Sequence, residues 1–233
     1  MDNSKTQQDQ SHDQHAVRLQ KLQNLREAGA DPYSATCDQT HTSTQAKALY
    51  DEMGSAIEIS GGSAANTITG VATLGGRGAY IGKVSDDQLG QVFAHDIRAA
   101  GVAFETRPLS ARSGATTARS MILVTPDAER TMQTYLGACV ELGPDDVPDD
   151  LIAASDVVYL EGYLYDPPQA KEAFLKAAKI AKAEGRKVAL SLSDPFCVER
   201  YRTEFIDLVD NHVNILFANE DEITSLYQAK DFD

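Results

Sequence analysis

The chain has 233 residues, with 21 Lys+Arg against 35 Asp+Glu, for a formal net charge of −14. That length suits one large domain, or one domain with an appendage, and 42% hydrophobic with 24% charged residues is globular composition rather than disorder or coiled coil. No apolar run approaches the ~18 residues of a membrane span. Met1 to Gln14 is polar and Gln-rich, and reads as a disordered stretch rather than a secretory signal.

The charge is uneven, because residues 1–50 carry 5 Lys+Arg and 6 Asp+Glu, a net −1 that leaves −13 on residues 51–233. An acidic body with no basic stripe argues against a nucleic-acid partner, since phosphate contacts need clustered Lys and Arg. It does not exclude nucleotides, which a few backbone N–H groups can hold. Cys37, Cys139 and Cys197 are odd in number and far apart, as expected in a reducing cytoplasm. The five histidines have no metal-ligand spacing.

In chain order, Ala16 to Ala28 reads as a helix with Leu19, Leu22 and Leu25 near one face, stopped by Gly29 and Asp31-Pro32. Residues 1–50 therefore read as a leader, separate from the rest of the chain. From about Ser55 the pattern becomes strand, glycine turn, helix, repeated. Ala64, Ile68, Val71, Ala72 and Gly75 predict one helical face, and Ala79 to Val84 a strand. Asp86 then caps a helix carrying Leu89, Val92, Phe93, Ile97 and Ala100, which ends at Gly101. Met121 to Val124 and Thr131 to Leu136, around Pro126-Asp127, predict a hairpin.

The later elements are more regular. Val157 to Leu160 predicts a buried strand. Pro167 opens a helix with Ala170, Phe174, Ala177 and Ala181 inward and Gly185 as its stop. Val188 to Leu192 is a second strand, followed by Asp194-Pro195 and a helix to about Val209. Val213 to Ala218 is a third strand, and Asp221 to Tyr227 a short helix. This alternation predicts an α/β fold, a mainly parallel sheet covered by helices on both faces.

Ligands of such sheets bind beyond the carboxyl ends of the strands. Those ends here are Glu161-Gly162, Ser193-Asp194 and Asn219-Glu220-Asp221-Glu222. A carboxylate cluster there can hold Mg²⁺ through water beside substrate phosphates. Asp194, Asn219 and Asp221 are equally ordinary helix caps, and spacing alone favours capping. A second constellation is Ser60-Gly61-Gly62-Ser63-Ala64-Ala65-Asn66. Its paired glycines admit close backbone approach and lead into a helix whose first turn carries Asn66. Cys139 and Cys197 have no nearby His, and Ser85, Ser113 and Ser193 lack a nucleophile elbow. Arg130 reads as a turn residue or an anion ligand.

Taken together, Ser60 to Asn66, Leu74-Gly75-Gly76, Gly82 to Gly90, Ala100-Gly101-Val102 and Asn219-Glu220-Asp221-Glu222 resemble, in order and spacing, the motifs of ribokinase-like (PfkB-type) sugar and nucleoside kinases. The likeness runs from about Met53 to Asp233 and is nearest to the adenosine-kinase-like members. It implies a ribokinase-like fold with a small β lid and ATP-dependent, Mg²⁺-assisted phosphorylation of a sugar or nucleoside hydroxyl. By the same resemblance, Gly61, Gly62 and Asn66 line the substrate site. Asn219 and Glu222 organise the Mg²⁺ and phosphate region without ligating metal directly, and Arg130 faces phosphate.

The family's late D-T-x-G-A-G-D string, source of the catalytic base and anion hole, does not occur in the sequence. Nor does its first strand with the substrate-binding Asp. The resemblance therefore implies an incomplete kinase domain over 51–233, lacking most of the ATP site, with impaired turnover. Open apolar sheet edges would favour association, a homodimer included. Residues 16–45 faintly resemble the start of class II lysyl-tRNA synthetases, in Arg18 to Leu22, Leu25 to Gly29, Asp31-Pro32-Tyr33 and Thr40-His41-Thr42.

Overall fold

The computed structural model describes residues 57–229, except 125, 126 and 129. The leader, with its expected helix at Ala16 to Ala28, lies outside the described residues. From Ile59 onward the chain forms a single unit.

The glycine turn at Gly61-Gly62 releases helix α1, Ser63–Thr73, whose first backbone bond runs from Asn66 N to Gly62 O at 2.8 Å. Ala65 is buried, and Ile68 and Ala72 pack beside it, while Val71 is exposed. Of the expected face of Ala64, Ile68, Val71, Ala72 and Gly75, Ile68 and Ala72 thus pack inward, while Ala65 rather than Ala64 is buried. The chain crosses back so tightly that a Cβ on Gly78 would lie 2.6 Å from Ile68 Cδ1. That close approach turns the Ile68 side of the helix inward.

Strand β1 is only Gly78–Ala79, parallel to β2, Val102–Ala103, with one further bond from Tyr80 N to Ala103 O at 2.8 Å. Residues 80–84 run on without ladder pairing, to a lone bridge between Ser85 and Leu109. The expected strand at Ala79 to Val84 is thus mostly a connection. Its Tyr80 ring packs with Phe93 and Phe104, centroids 5.6–5.7 Å apart, forming a small core with Ile97 and Val102.

Helix α2, Gln88–Ala99, is capped by Asp87, whose side chain accepts from Gly90 N, rather than by Asp86, whose backbone N donates to Leu109 O at 2.8 Å. The antiparallel hairpin spans β3, Arg119–Val124, and β4, Arg130–Tyr135. All of β4 is exposed, as are Ile122 and Val124 of β3.

After the short helix α3, Asp149–Ala154, the chain builds a three-stranded parallel sheet in the order β5 (Val157–Glu161), β6 (Lys187–Ser191), β7 (Ile215–Phe217). Crossovers α4, Pro168–Ala183, and α5, Pro195–Asn211, cover one face. Leu160, Leu190 and Leu216 are in register there and pack with Phe174, Val198 and Phe205. The inward residues of α4 include the expected Ala170, Phe174, Ala177 and Ala181, and Gly185 ends it at φ 65°. Helix α5 kinks at Tyr201. On the other face α1 lies against β5, while Ile215 and Phe217 keep 37% and 53% exposure. The last helix, α6, is Glu220–Tyr227.

Candidate active site

Parallel strands end their backbone ladder on one edge, and each strand here leads into a tight polar turn. β5 ends at Glu161-Gly162, and a Cβ on Gly162 would meet Ser191 O at 2.6 Å and Leu192 O at 2.8 Å. Only glycine lets the β5 and β6 ends approach so closely. After β6, Ser193 has φ 69°, a left-handed conformation rare for a residue with a Cβ. That backbone turn aims its hydroxyl at Glu161, to whose Oε1 it donates a short hydrogen bond. Tyr159 donates to the other oxygen, Oε2, at 3.3 Å. Both oxygens of Glu161 are held.

Asp194 caps α5 by accepting from Phe196 N at 2.7 Å. Asn219 caps α6, its Oδ1 accepting from Glu222 N at 2.8 Å. The Glu222 carboxylate accepts in return from Asn219 N at 3.1 Å and Nδ2 at 3.0 Å. This reciprocal arrangement is the capping box that the spacing allowed. Burial raises the Glu222 pKa above the usual carboxylate value of 4.5, the Asn219 N–H opposes that shift, and the charges of Asp194, Asp221 and Glu161 add to it. The half-exposed Tyr163 hydroxyl is likewise raised, by burial first and then by Asp194, Glu161 and Glu222. The three strand ends therefore share one acidic edge.

Helix α1, which the glycine turn opens, packs against β5. Thr67, next to Asn66 on α1, neighbours the Tyr159 hydroxyl, which also reaches Ser191. Gly62 has φ 118°, a conformation closed to most side chains, and Asn66 is exposed on the first turn. The Ser60 hydroxyl donates to Asp96 of α2 at 2.6 Å, which fixes the turn from its far side. Arg130 sits apart from this group, exposed at the start of β4 opposite Val124, and among the described residues no ion pair joins it to the acidic edge. Strand periodicity puts Tyr159 and Glu161 on one face of β5, but spacing along the chain does not pair Ser193 with Glu161. The left-handed turn at Ser193 is closed by a bond from Asp194 N to Leu192 O at 2.8 Å.

Could this edge hold a cation? Among the described residues no three His, Cys, Asp or Glu side chains converge to enclose a metal ion. Mg²⁺ does not need such a cage, since it keeps several waters and is held by one or two carboxylates plus substrate phosphates. Glu161, Asp194 and Glu222 fit that outer role. A cavity of about 670 Å³ lies elsewhere, along α2 between Gln91, His95, Arg98 and Phe104, and carries none of these residues.

A profile of the pfkB family of carbohydrate kinases matches residues 36–233, beginning ahead of the Met53 where the motif likeness starts. The chain belongs to the pfkB family of carbohydrate kinases. An adenosine kinase from Sinorhizobium meliloti is a solved structural neighbour at 59% identity and TM-score 0.75, covering 83% of this chain and 59% of its own. A probable sugar kinase from Rhizobium etli superposes at TM-score 0.74 with 57% identity, covering 82% of this chain and 58% of that one. Probable fructokinase-3 of Arabidopsis thaliana is 27% identical over 183 residues, 76% of this chain and 52% of the relative. The chain thus spans a little over half the length of these relatives. The ribokinase-like α/β fold expected from the sequence is the fold of these neighbours. Among the described residues no helix is long and apolar enough to cross a membrane.

Proposed function

We propose that this chain carries the acceptor-binding turn and the cation-facing edge of an ATP-dependent phosphotransferase acting on a nucleoside or sugar hydroxyl. The observation that supports it is the packing of α1, which the Gly61-Gly62 turn opens, against β5, with Thr67 near the Tyr159 hydroxyl that donates to Glu161. The acceptor is adenosine or a related carbohydrate, since an adenosine kinase and a probable sugar kinase are similar to this chain at 59% and 57% identity.

In this reading the Gly61 and Gly62 backbone lets a hydroxylated ring approach closely, and the Asn66 amide hydrogen-bonds one of its hydroxyls. An acidic edge repels nucleotide polyphosphate, so the nucleotide must arrive with a divalent cation. Bound Mg²⁺ would neutralise the phosphate charge during in-line transfer. Glu161, held by Ser193 and Tyr159, would orient water around that cation, and Glu222 would hold α6 at its Asn219 cap beside the phosphates. Arg130 would meet phosphate only if the hairpin brings it over the edge.

By the resemblance, the group that takes the acceptor proton belongs to a D-T-x-G-A-G-D string, which does not occur in this sequence. The 233-residue chain is therefore expected to be impaired in turnover. A ligand-binding module without catalysis is the second reading, favoured by the full engagement of Glu222 with Asn219. An ADP-release assay with adenosine, ribose and fructose separates these readings. No sustained ADP release is expected from this chain, and turnover abolished by Asn219→Ala or Glu222→Ala would make it a competent kinase instead.

A further inference from the structure

The Asp87 carboxylate does more than cap a helix. Its Oδ1 accepts from Gly90 N at 2.8 Å, in the first turn of α2, and from the Thr117 hydroxyl at 2.6 Å. Its Oδ2 accepts from Thr117 N at 2.8 Å. Thr117 is buried, two residues before β3, and its hydroxyl oxygen accepts in turn from Ser85 N at 3.0 Å. Ser85 donates through its own hydroxyl to Ala115 O at 2.9 Å. Gly90 is pressed onto the same point, since a Cβ there would collide with Ser85 O and lie 2.9 Å from Thr117 Oγ1. One carboxylate thus joins a helix start to the foot of the hairpin.

The other foot is tied to the first, with Ala138 N donating to Thr116 O at 2.9 Å. Beyond these feet the hairpin is a two-stranded ribbon, with β4 exposed along its length. An isolated ribbon of two strands is marginally stable in water, so what fixes its base governs its order and direction. A bond to an ionised acceptor is stronger than a neutral one, and Asp87 accepts three.

We propose that Asp87 is a positioning residue for the β3–β4 hairpin, acting through Thr117 to fix its base against α2. If the hairpin covers the acceptor site, as the resemblance implies, Asp87 sets the closure of that cover; this consequence rests on the phosphotransferase reading. The anchoring itself does not, and it is testable without substrate.

The test is hydrogen–deuterium exchange on the full chain, read by mass spectrometry for segments 119–135 and 90–97. Asp87→Asn keeps an oxygen for the Gly90 N–H and the Thr117 hydroxyl, and asparagine is as good a helix cap as aspartate, but the amide nitrogen in place of Oδ2 cannot accept from Thr117 N. Thr117→Val removes the hydroxyl and leaves the helix cap untouched, while Thr117→Ser restores it. The expected result is exchange about tenfold faster in 119–135 for both Asp87→Asn and Thr117→Val, with 90–97 unchanged and Thr117→Ser at the wild-type rate. Wild-type exchange in 119–135 for Thr117→Val would overturn the proposal. So would equal loss of protection in 90–97 and 119–135, which would make the effect a general destabilisation rather than a loosened hairpin base.

Discussion

Asn219 and Glu222 satisfy each other completely: the amide oxygen of one takes the backbone N–H of the other, and the carboxylate returns two bonds. The pair closes the first turn of α6, which packs on α5 through Leu226 in the main core. Its role in stability is therefore separable from any role at phosphate. Asn219→Ala removes the cap and leaves the buried Glu222 carboxylate short of partners, and should cost about 1–3 kcal/mol in urea unfolding. Asn219→Asp, a good cap placed against a buried carboxylate, should cost less near pH ~4 than at pH ~7, because proton uptake relieves the repulsion.

Glu222 and Asp87 should bend the pH profile of stability in opposite senses. The Glu222 pKa is raised, by burial first and then by neighbouring charges, so the native state holds its proton to higher pH than the unfolded chain. Stability then falls as pH rises from the unfolded value of 4.5 through the raised one. Burial works to raise Asp87 as well, but the bonds from Thr117 and Gly90 and the Arg119 charge outweigh it and leave its pKa lowered. Its contribution is present above the unfolded value of 3.8 and is lost as pH falls through the folded one. Urea unfolding between about pH 3 and 7 should show Glu222→Gln removing the decline above the unfolded carboxylate value, and Asp87→Asn removing the acid loss.

Ser193 separates backbone strain from hydrogen bonding. Its left-handed φ costs about 1–2 kcal/mol for a residue with a Cβ, offset by the bond to Glu161. Ser193→Ala keeps the strain and loses the bond, and should lower the melting temperature. Ser193→Gly loses the bond and the strain together, and should melt near wild type. Equal destabilisation by both substitutions would show that the strain is absent.

These tests track the boundary between local encoding and tertiary contact. The inward face of α4 is legible because Ala170, Phe174, Ala177 and Ala181 repeat at helical spacing with Gly185 behind them. So are the sheet edge and its caps, since Asp194-Pro195 and Asn219-to-Glu222 carry their own hydrogen-bonding partners. The face of α1 is legible only in part, at Ile68 and Ala72, because Ala64 and Ala65 are equivalent by residue type and only tertiary packing separates them. Asp87, not Asp86, is the residue that meets Thr117, distant along the chain, and Glu161 meets Ser193 across the ends of two strands.

Gly62 offers a check on the substrate turn. At φ 118° a Cβ is strained whatever space surrounds it. Gly62→Ala should cost about 1–2 kcal/mol in thermal or urea unfolding and shift the start of α1. An unchanged melting temperature would mean the turn relaxes without loss, and its fixed shape could not then define a binding site.

If the Gly61-Gly62-Asn66 turn binds the hydroxylated acceptor, titration calorimetry with adenosine reads that binding directly. Saturable binding to the 233-residue chain is expected, weakened about tenfold or more by Asn66→Ala at an unchanged melting temperature, since Asn66 is exposed and bears no core contact. No binding of adenosine, ribose or fructose, or equal affinity in Asn66→Ala, would contradict it.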